Sequence, residues 1–334
     1  MSTKPKVAVI GTGGTITAIS GIGPLDLTEY TSSGHMLEAD ELVARFPEVA
    51  SVAEIIPIRF KAVPSTSVGF AEWKALVLAT DKAVADHPDL AGIVVLHGTA
   101  SLEETAYALS LTAKVAVPIV LVGAQRPASA LSTDAGLNLV NAVRTAASPD
   151  ARGMGVLVCL NDEIQCAREV SKTSTARLQT FRSPDFGVLG HADGDRIAFY
   201  RRPIRRAAPD TEFDIRGLDA LPRVDIAYSY AGNDGTATRA FIQAGARGIV
   251  GAAFAPGLLA PAEFDAFKEA VAAGVVVAMS SRAGSGRVFT PARLRDAGFL
   301  GADNLNPQKA RILLALALTQ TRDPARIQQM FATY

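Results

Sequence analysis

Short apolar runs rich in valine and isoleucine recur along the chain at residues 7–10, 93–96, 119–122, 155–159, 224–227, 248–252 and 275–279. Ala/Leu-rich stretches with helical spacing lie between them, at 70–85, 101–113, 138–147 and 261–273. A continuous β-branched run with no polar alternation suits a strand covered on both faces, and parallel neighbours need a long crossover between them. The expected fold class is therefore α/β, built on mostly parallel sheet with flanking helices. In such sheets ligands bind outside the carboxyl ends of the strands, so the residues that follow each run carry the functional information.

A chain of 334 residues is about twice a typical domain, which fits two domains or one unusually large α/β unit. The interval 200–221, YRRPIRRAAPDTEFDIRGLDAL, is polar, holds two prolines and breaks the rhythm. It divides the chain into an N-terminal catalytic α/β domain over 1–205, a linker over 206–221 and a shorter α/β domain over 222–334. The last is expected to close with a helix over 306–320, which Pro307 starts well because the first helical position needs no N–H.

Composition removes several classes of function. Thirty-three basic side chains balance 33 acidic ones, so the basic surface of a nucleic-acid binder is missing. No apolar stretch approaches the roughly 20 residues of a membrane span, and the N-terminus runs into its first strand without a leader pattern. The two cysteines, Cys159 and Cys166, match neither a CxxC pair nor a zinc motif, and the four histidines include no HExxH pair. The expectation is a cytoplasmic protein with a small-molecule partner, no metal, no nucleic acid and no membrane.

Three strand exits carry candidate chemistry. GTGGTI at 11–16 follows the first strand; a dinucleotide loop of the GxGxxG type would need glycine where Ile16 stands, so the glycines instead allow close backbone approach to a ligand and present Thr15. The same pattern also serves as a plain tight turn. VVLHGTASLEETAYAL at 94–109 runs from a strand through His97, Gly98, Thr99 and Ala100 into a helix. Ser101 with Glu104 has the spacing of a capping box, which aims the helix N–H groups at Thr99 and Ala100, where a hydroxyl can serve an oxyanion or a carboxylate. NDEIQCAREVSKTSTARLQTF at 161–181 holds Lys172, with Arg168 and Arg177 nearby in sequence; crowding by cations makes a lysine easier to deprotonate, although a solvated surface lysine fits the segment as well.

Taken together the chain resembles the bacterial L-asparaginase family of amidohydrolases. The resemblance rests on TGGTI at 12–16, EYTSSG at 29–34, HGT with LEETAYAL at 97–109, VGAQRP at 122–127, REVSKT at 168–173, SSR at 280–282 and LNPQKARILLALALTQTRDPARIQQMF at 305–331. It implies a larger N-terminal and a smaller C-terminal α/β domain, a homotetramer built as a dimer of dimers, no cofactor, and hydrolysis through a threonine acyl-enzyme. Thr15 matches the nucleophile and Tyr30 the tyrosine of a mobile loop that helps activate it. Thr99 matches the second threonine, and Lys172 its lysine partner. The loop is expected to span 21–34, with Gly21, Gly23 and Gly34 as hinges.

The departures are grouped. Where the family reads HGTD, Ala100 replaces an aspartate that binds the substrate α-ammonium. Gly98 and Ser65 are kept as substrate-binding positions, whereas Thr66 stands for a glutamine. Leu258 stands for an asparagine supplied across a dimer interface, and Pro291 lies near the position of a glutamate. Arg287 has no family counterpart and is a candidate for a substrate carboxylate. Two further readings follow from these changes: an amidase, esterase or lactonase of the same fold for a substrate with no free α-ammonium, and a ligand-binding protein with weak catalysis.

Overall fold

The computed structural model describes residues 4–334 and divides them into two compact units, 4–216 and 217–334. The first unit is built on an eight-stranded sheet. Its parallel part runs in the spatial order Val156–Leu160, Ile119–Val122, Leu90–Leu96, Lys6–Gly11, Glu54–Arg59. Val7, Val9, Val94, Val95, Val120 and Val158 are fully buried, as expected of strands covered on both faces. Removing one such side chain down to alanine costs about 2–5 kcal/mol.

Helices supply the cover. Phe70–Asp86 buries Trp73, Leu76, Val77, Thr80 and Ala83, the 3–4 spacing of one helical face. The Trp73 indole N–H, which no water can reach there, donates to Thr105 Oγ1 at 3.1 Å on the helix Leu102–Thr112. That second helix is buried along nearly its whole length.

Two parts of the sheet depart from the sequence expectation. Glu54–Arg59 is a strand despite Pro57, which it tolerates because it lies at the sheet edge, where a missing N–H breaks no ladder. Beyond Leu160 the chain turns back through Asn161 and Asp162, both with positive φ, the signature of a two-residue hairpin turn. Glu163–Cys166, Gly190–Ala192 and Ile197–Phe199 then extend the sheet in antiparallel fashion. The polar segment after the fifth parallel strand is thus partly sheet, with Cys159 and Cys166 buried as free thiols on neighbouring strands.

The segment expected as a linker is, through Arg216, packed on the first unit. Phe213 and Ile215 are buried, the Ala208 N–H donates to the Ser110 carbonyl at 2.7 Å, and Arg216 grips Asp81 with two hydrogen bonds of 2.7 and 3.0 Å. Polarity there reflects anchoring, since charged groups bind the chain to a surface already formed.

The second unit has four parallel strands in the order Val224–Tyr228, Gly248–Ala253, Val276–Ser281, Leu300–Gly301. Phe267, Val277, Met279 and Ile249 fill its core. Its helix Pro307–Gln320 starts as expected, with Pro307 in the first turn and Asn306 Oδ1 accepting from the Lys309 N–H at 3.1 Å. No helix among the described residues is long and apolar enough to cross a membrane.

Candidate active site

The carboxyl ends of Lys6–Gly11 and Leu90–Leu96 lie side by side, and the loops that leave them are bound together. The Thr12 N–H and hydroxyl both donate to the Leu96 carbonyl, at 3.1 and 2.7 Å. Gly14, at φ 94°, leaves no room for a side chain because a Cβ there would press into the backbone of Gly98. A single tight turn, Thr15–Thr17, follows and is held by the Thr17 hydroxyl on the Gly14 carbonyl at 2.9 Å. Thr15 therefore stands half-buried on a rigid corner.

A cavity of about 660 Å³ opens over this corner, lined entirely by residues of the first unit. Thr15, Tyr30, Thr99 and Lys172 line it, and so do Ser65, Thr66, Gly98 and Ala100. Thr15 Oγ1 and Tyr30 Oη are 2.9 Å apart, with either able to donate. The Lys172 ammonium donates to Thr99 Oγ1 at 2.8 Å. The eight residues matched to the family's catalytic and acyl-binding positions in this unit thus meet in one cavity, from five separate stretches of chain.

Local structure explains each placement. Tyr30 begins the short helix Tyr30–Ser33 in the segment that covers the corner. The base of this segment is a two-stranded ribbon, Ala18–Ile19 against His35–Met36. A Cβ on Gly21 or Gly34 would collide with the carbonyl of Ser33 or Ile19, so these glycines permit two chains to pass closely. Gly23, at φ 134° with open space around it, is free of such a clash. Asp26, missed in the sequence, organises the segment. Its carboxylate accepts from the Ser20 hydroxyl at 2.6 Å and from the N–H groups of Glu29 and Thr28 at 2.7 and 3.0 Å, which hold its pKa below the usual carboxylate value. The signal was available, because an aspartate accepting from the N–H two residues on is a common turn former. Met36 was also missed, and nothing in its sequence context marks it; its sulfur accepts from the Gly14 N–H at 3.4 Å.

Two expectations for the second corner need correction. Ser101 caps no N–H with its side chain; its hydroxyl donates to the Ser65 carbonyl, tying the Ser65–Ser67 turn to the head of the helix Leu102–Thr112. The helix does begin after Ser101, so its first N–H groups follow Thr99 and Ala100 as expected. Lys172 is easier to deprotonate than an ordinary lysine, and the cause is burial, which penalises its charged form, rather than crowding by Arg168 and Arg177. Glu103 holds the main chain there, accepting from the Lys172 N–H at 3.2 Å and the Ser171 hydroxyl at 2.8 Å. Beneath the corner His97 is fully buried, its Nδ1 lies 2.8 Å from the Gly98 carbonyl, and desolvation depresses its pKa to about 4.

Ala100 and Thr66 are exposed at the cavity wall, while Leu258 is exposed on the second unit. The Arg287 guanidinium lies over the Phe289 ring at 5.5 Å, and Arg287 is not among the cavity-lining residues. Among the described residues no group of three or more His, Cys, Asp or Glu is arranged to hold a metal ion.

Known proteins with the same arrangement are readily found. Residues 6–205 match the family model for the asparaginase N-terminal domain, and residues 223–331 that for the glutaminase/asparaginase C-terminal domain. L-asparaginase 2 of Escherichia coli is 38% identical over 99% of this chain and 93% of its own length. Glutaminase-asparaginase of Pseudomonas fluorescens is 39% identical over 100% and 92%. A crystal structure from Campylobacter jejuni, titled a "Probable Cytoplasmic L-asparaginase", superposes with a TM-score of 0.94 at 38% identity, covering 99% of this chain and 100% of that one. With two hydroxyls, a tyrosine and a half-buried lysine gathered at the carboxyl edge of a parallel sheet, and with both family domains matched in order, the chain belongs to the asparaginase family of amidohydrolases.

Proposed function

We propose that the protein hydrolyses the side-chain amide of a small molecule, L-asparagine or an analogue, through an ester formed on Thr15. The observation that carries this reading is the 2.9 Å contact between Thr15 Oγ1 and Tyr30 Oη in a cavity that the Lys172–Thr99 pair also lines. A threonine hydroxyl is a weak nucleophile until a neighbouring group accepts its proton. Thr15 Oγ1 attacks the amide carbon while its proton is relayed through Tyr30 Oη to the departing nitrogen; the C–N bond breaks and ammonia leaves. Water polarised by Thr99 and Lys172 then attacks the ester carbonyl as Lys172 takes one of its protons, and the acid is released as that proton passes on to the departing Thr15 oxygen, restoring the hydroxyl and the amine. Burial makes the Lys172 ammonium give up the proton it must lose for this second step more easily than an ordinary lysine would. Ser65 and Gly98 bind the substrate backbone, and Thr66 and Ala100 form the wall beside them.

The covering segment, tied by Asp26 and carrying Tyr30, excludes bulk water while the ester exists. The free thiols of Cys159 and Cys166 suit a reducing compartment, and we place the protein in the cytoplasm as a homotetramer, a dimer of dimers. Ammonia release from L-asparagine, L-glutamine and succinamate, followed with wild type and Thr15→Ala, tests the chemistry. Removing a nucleophile of this kind is expected to lower kcat on the order of 10⁴-fold or more. Equal turnover in the two proteins rules the mechanism out, and sedimentation velocity reads the assembly.

A further inference from the structure

The cavity wall is short of one kind of group. Among the described residues no aspartate or glutamate lines it, and Lys172 is its only lysine or arginine. The carboxylates of adjoining segments are engaged elsewhere. Asp26 is bonded to Ser20, Thr28 and Glu29, Glu29 accepts from Ser32, and Glu103 holds Ser171 and the Lys172 N–H. Ala100 offers a methyl group at the head of the helix Leu102–Thr112, and Thr66 a hydroxyl that cannot balance a positive charge. His35, the remaining basic side chain of the wall, adds no negative charge either.

An amino-acid amide brings an ammonium, which gives up hydration when it enters such a cavity and finds a balancing charge only in a carboxylate partner. Here it meets none and shares the space with the Lys172 ammonium. A carboxylate on the ligand has the opposite balance: it is drawn to Lys172 and to the hydroxyls of Ser65, Thr66 and Thr99.

We propose that this cavity selects acyl compounds that carry no α-ammonium, the simplest being monoamides of short dicarboxylic acids. This rests on the reading of the cavity as the acyl site. Succinate and L-aspartate differ only by the ammonium, so their binding to Thr15→Ala, measured by calorimetry on the assembled protein, isolates the pocket from the chemistry. The assembled protein includes any group a second copy contributes.

Succinate is expected to bind at least thirtyfold more tightly than L-aspartate, the lower bound for a desolvated charge left without its partner. Ala100→Asp in the same background is expected to reverse the order. Equal affinities, tighter binding of L-aspartate, or no saturable binding of succinate overturns the proposal. Turnover keeps the two readings apart. Thr15-dependent hydrolysis of L-asparagine at least as efficient as that of succinamate overturns the selectivity and leaves the amidohydrolase reading standing. Tight succinate binding with no Thr15-dependent turnover of either amide does the reverse.

Discussion

The two parallel sheets of this protein treat a buried ionisable group in opposite ways. In the first unit the half-buried Lys172 opens on a cavity and donates to Thr99 at 2.8 Å. In the second, Glu263 sits in the first turn of Pro261–Ala272 with no exposure, one oxygen accepting from the Ser229 hydroxyl at 2.9 Å and the other without a partner. Burial moves both away from their ordinary values, lowering Lys172 and raising Glu263, so each holds its charge less firmly than it would in water. What separates them is access. Gly14 and Gly98 bring two loops together without side chains in the way and leave a space above them, whereas the strand exit beside Glu263 is closed by packing. A shifted proton affinity becomes chemistry only where a substrate can reach it.

That contrast can be broken most forcefully at Lys172. Replacement by methionine keeps the length and removes the base, and kcat for ammonia release is expected to fall by about 10²- to 10⁴-fold. The wild-type rate should climb with pH as the buried amine loses its proton, at lower pH than an ordinary lysine allows, and Lys172→Met should flatten that climb. A variant with the wild-type pH profile would return Lys172 to a structural role.

A smaller effect separates the units by the sign of their response to acid. His97 holds its proton less well folded than unfolded, so its contribution to stability is present above about pH 6.5 and is lost as pH falls toward 4. Across that interval the loss amounts to about 3 kcal/mol. It is read as faster amide exchange in the first unit, and His97→Phe should abolish the slope.

Glu263 has the reverse sign. Its folded pKa is raised, so the stability it contributes is full below about pH 4.5 and declines as pH rises through the raised value. Glu263→Gln should remove that decline and, near neutral pH, leave the second unit unchanged or about 1 kcal/mol more stable. Exchange in the second unit that is equally pH-dependent in both proteins would refute it.

Legibility followed the same division between pattern and partner. Strand and helix positions could be read because burial on both faces writes itself as unbroken β-branched runs, as in Leu90–Leu96 and Gly248–Ala253. The edge strand Glu54–Arg59 could not, since its half-exposed side chains and Pro57 blur the period. Thr15 and Thr99 were visible through the glycines beside them and through family resemblance. The role of Ser101 was misread because its spacing to Glu104 is a local pattern, while its partner, the Ser65 carbonyl, is 36 residues away. Gly21 and Gly34 show a related limit of the letter code, since their close approach to the Ser33 and Ile19 carbonyls leaves no mark nearby in the sequence. Glycine announces freedom and close approach with the same letter, and only the neighbouring carbonyl tells which.

The contact between Gly14 and Gly98 also bears on how such a protein can change its diet. The loops presenting the two threonines touch main chain to main chain, so the spacing of their hydroxyls is set without reference to any side chain on the wall. Ala100 and Thr66 can then be exchanged, by selection or by design, while the reacting atoms keep their places. One scaffold thereby keeps its reaction fixed and leaves its choice of molecule open to single substitutions.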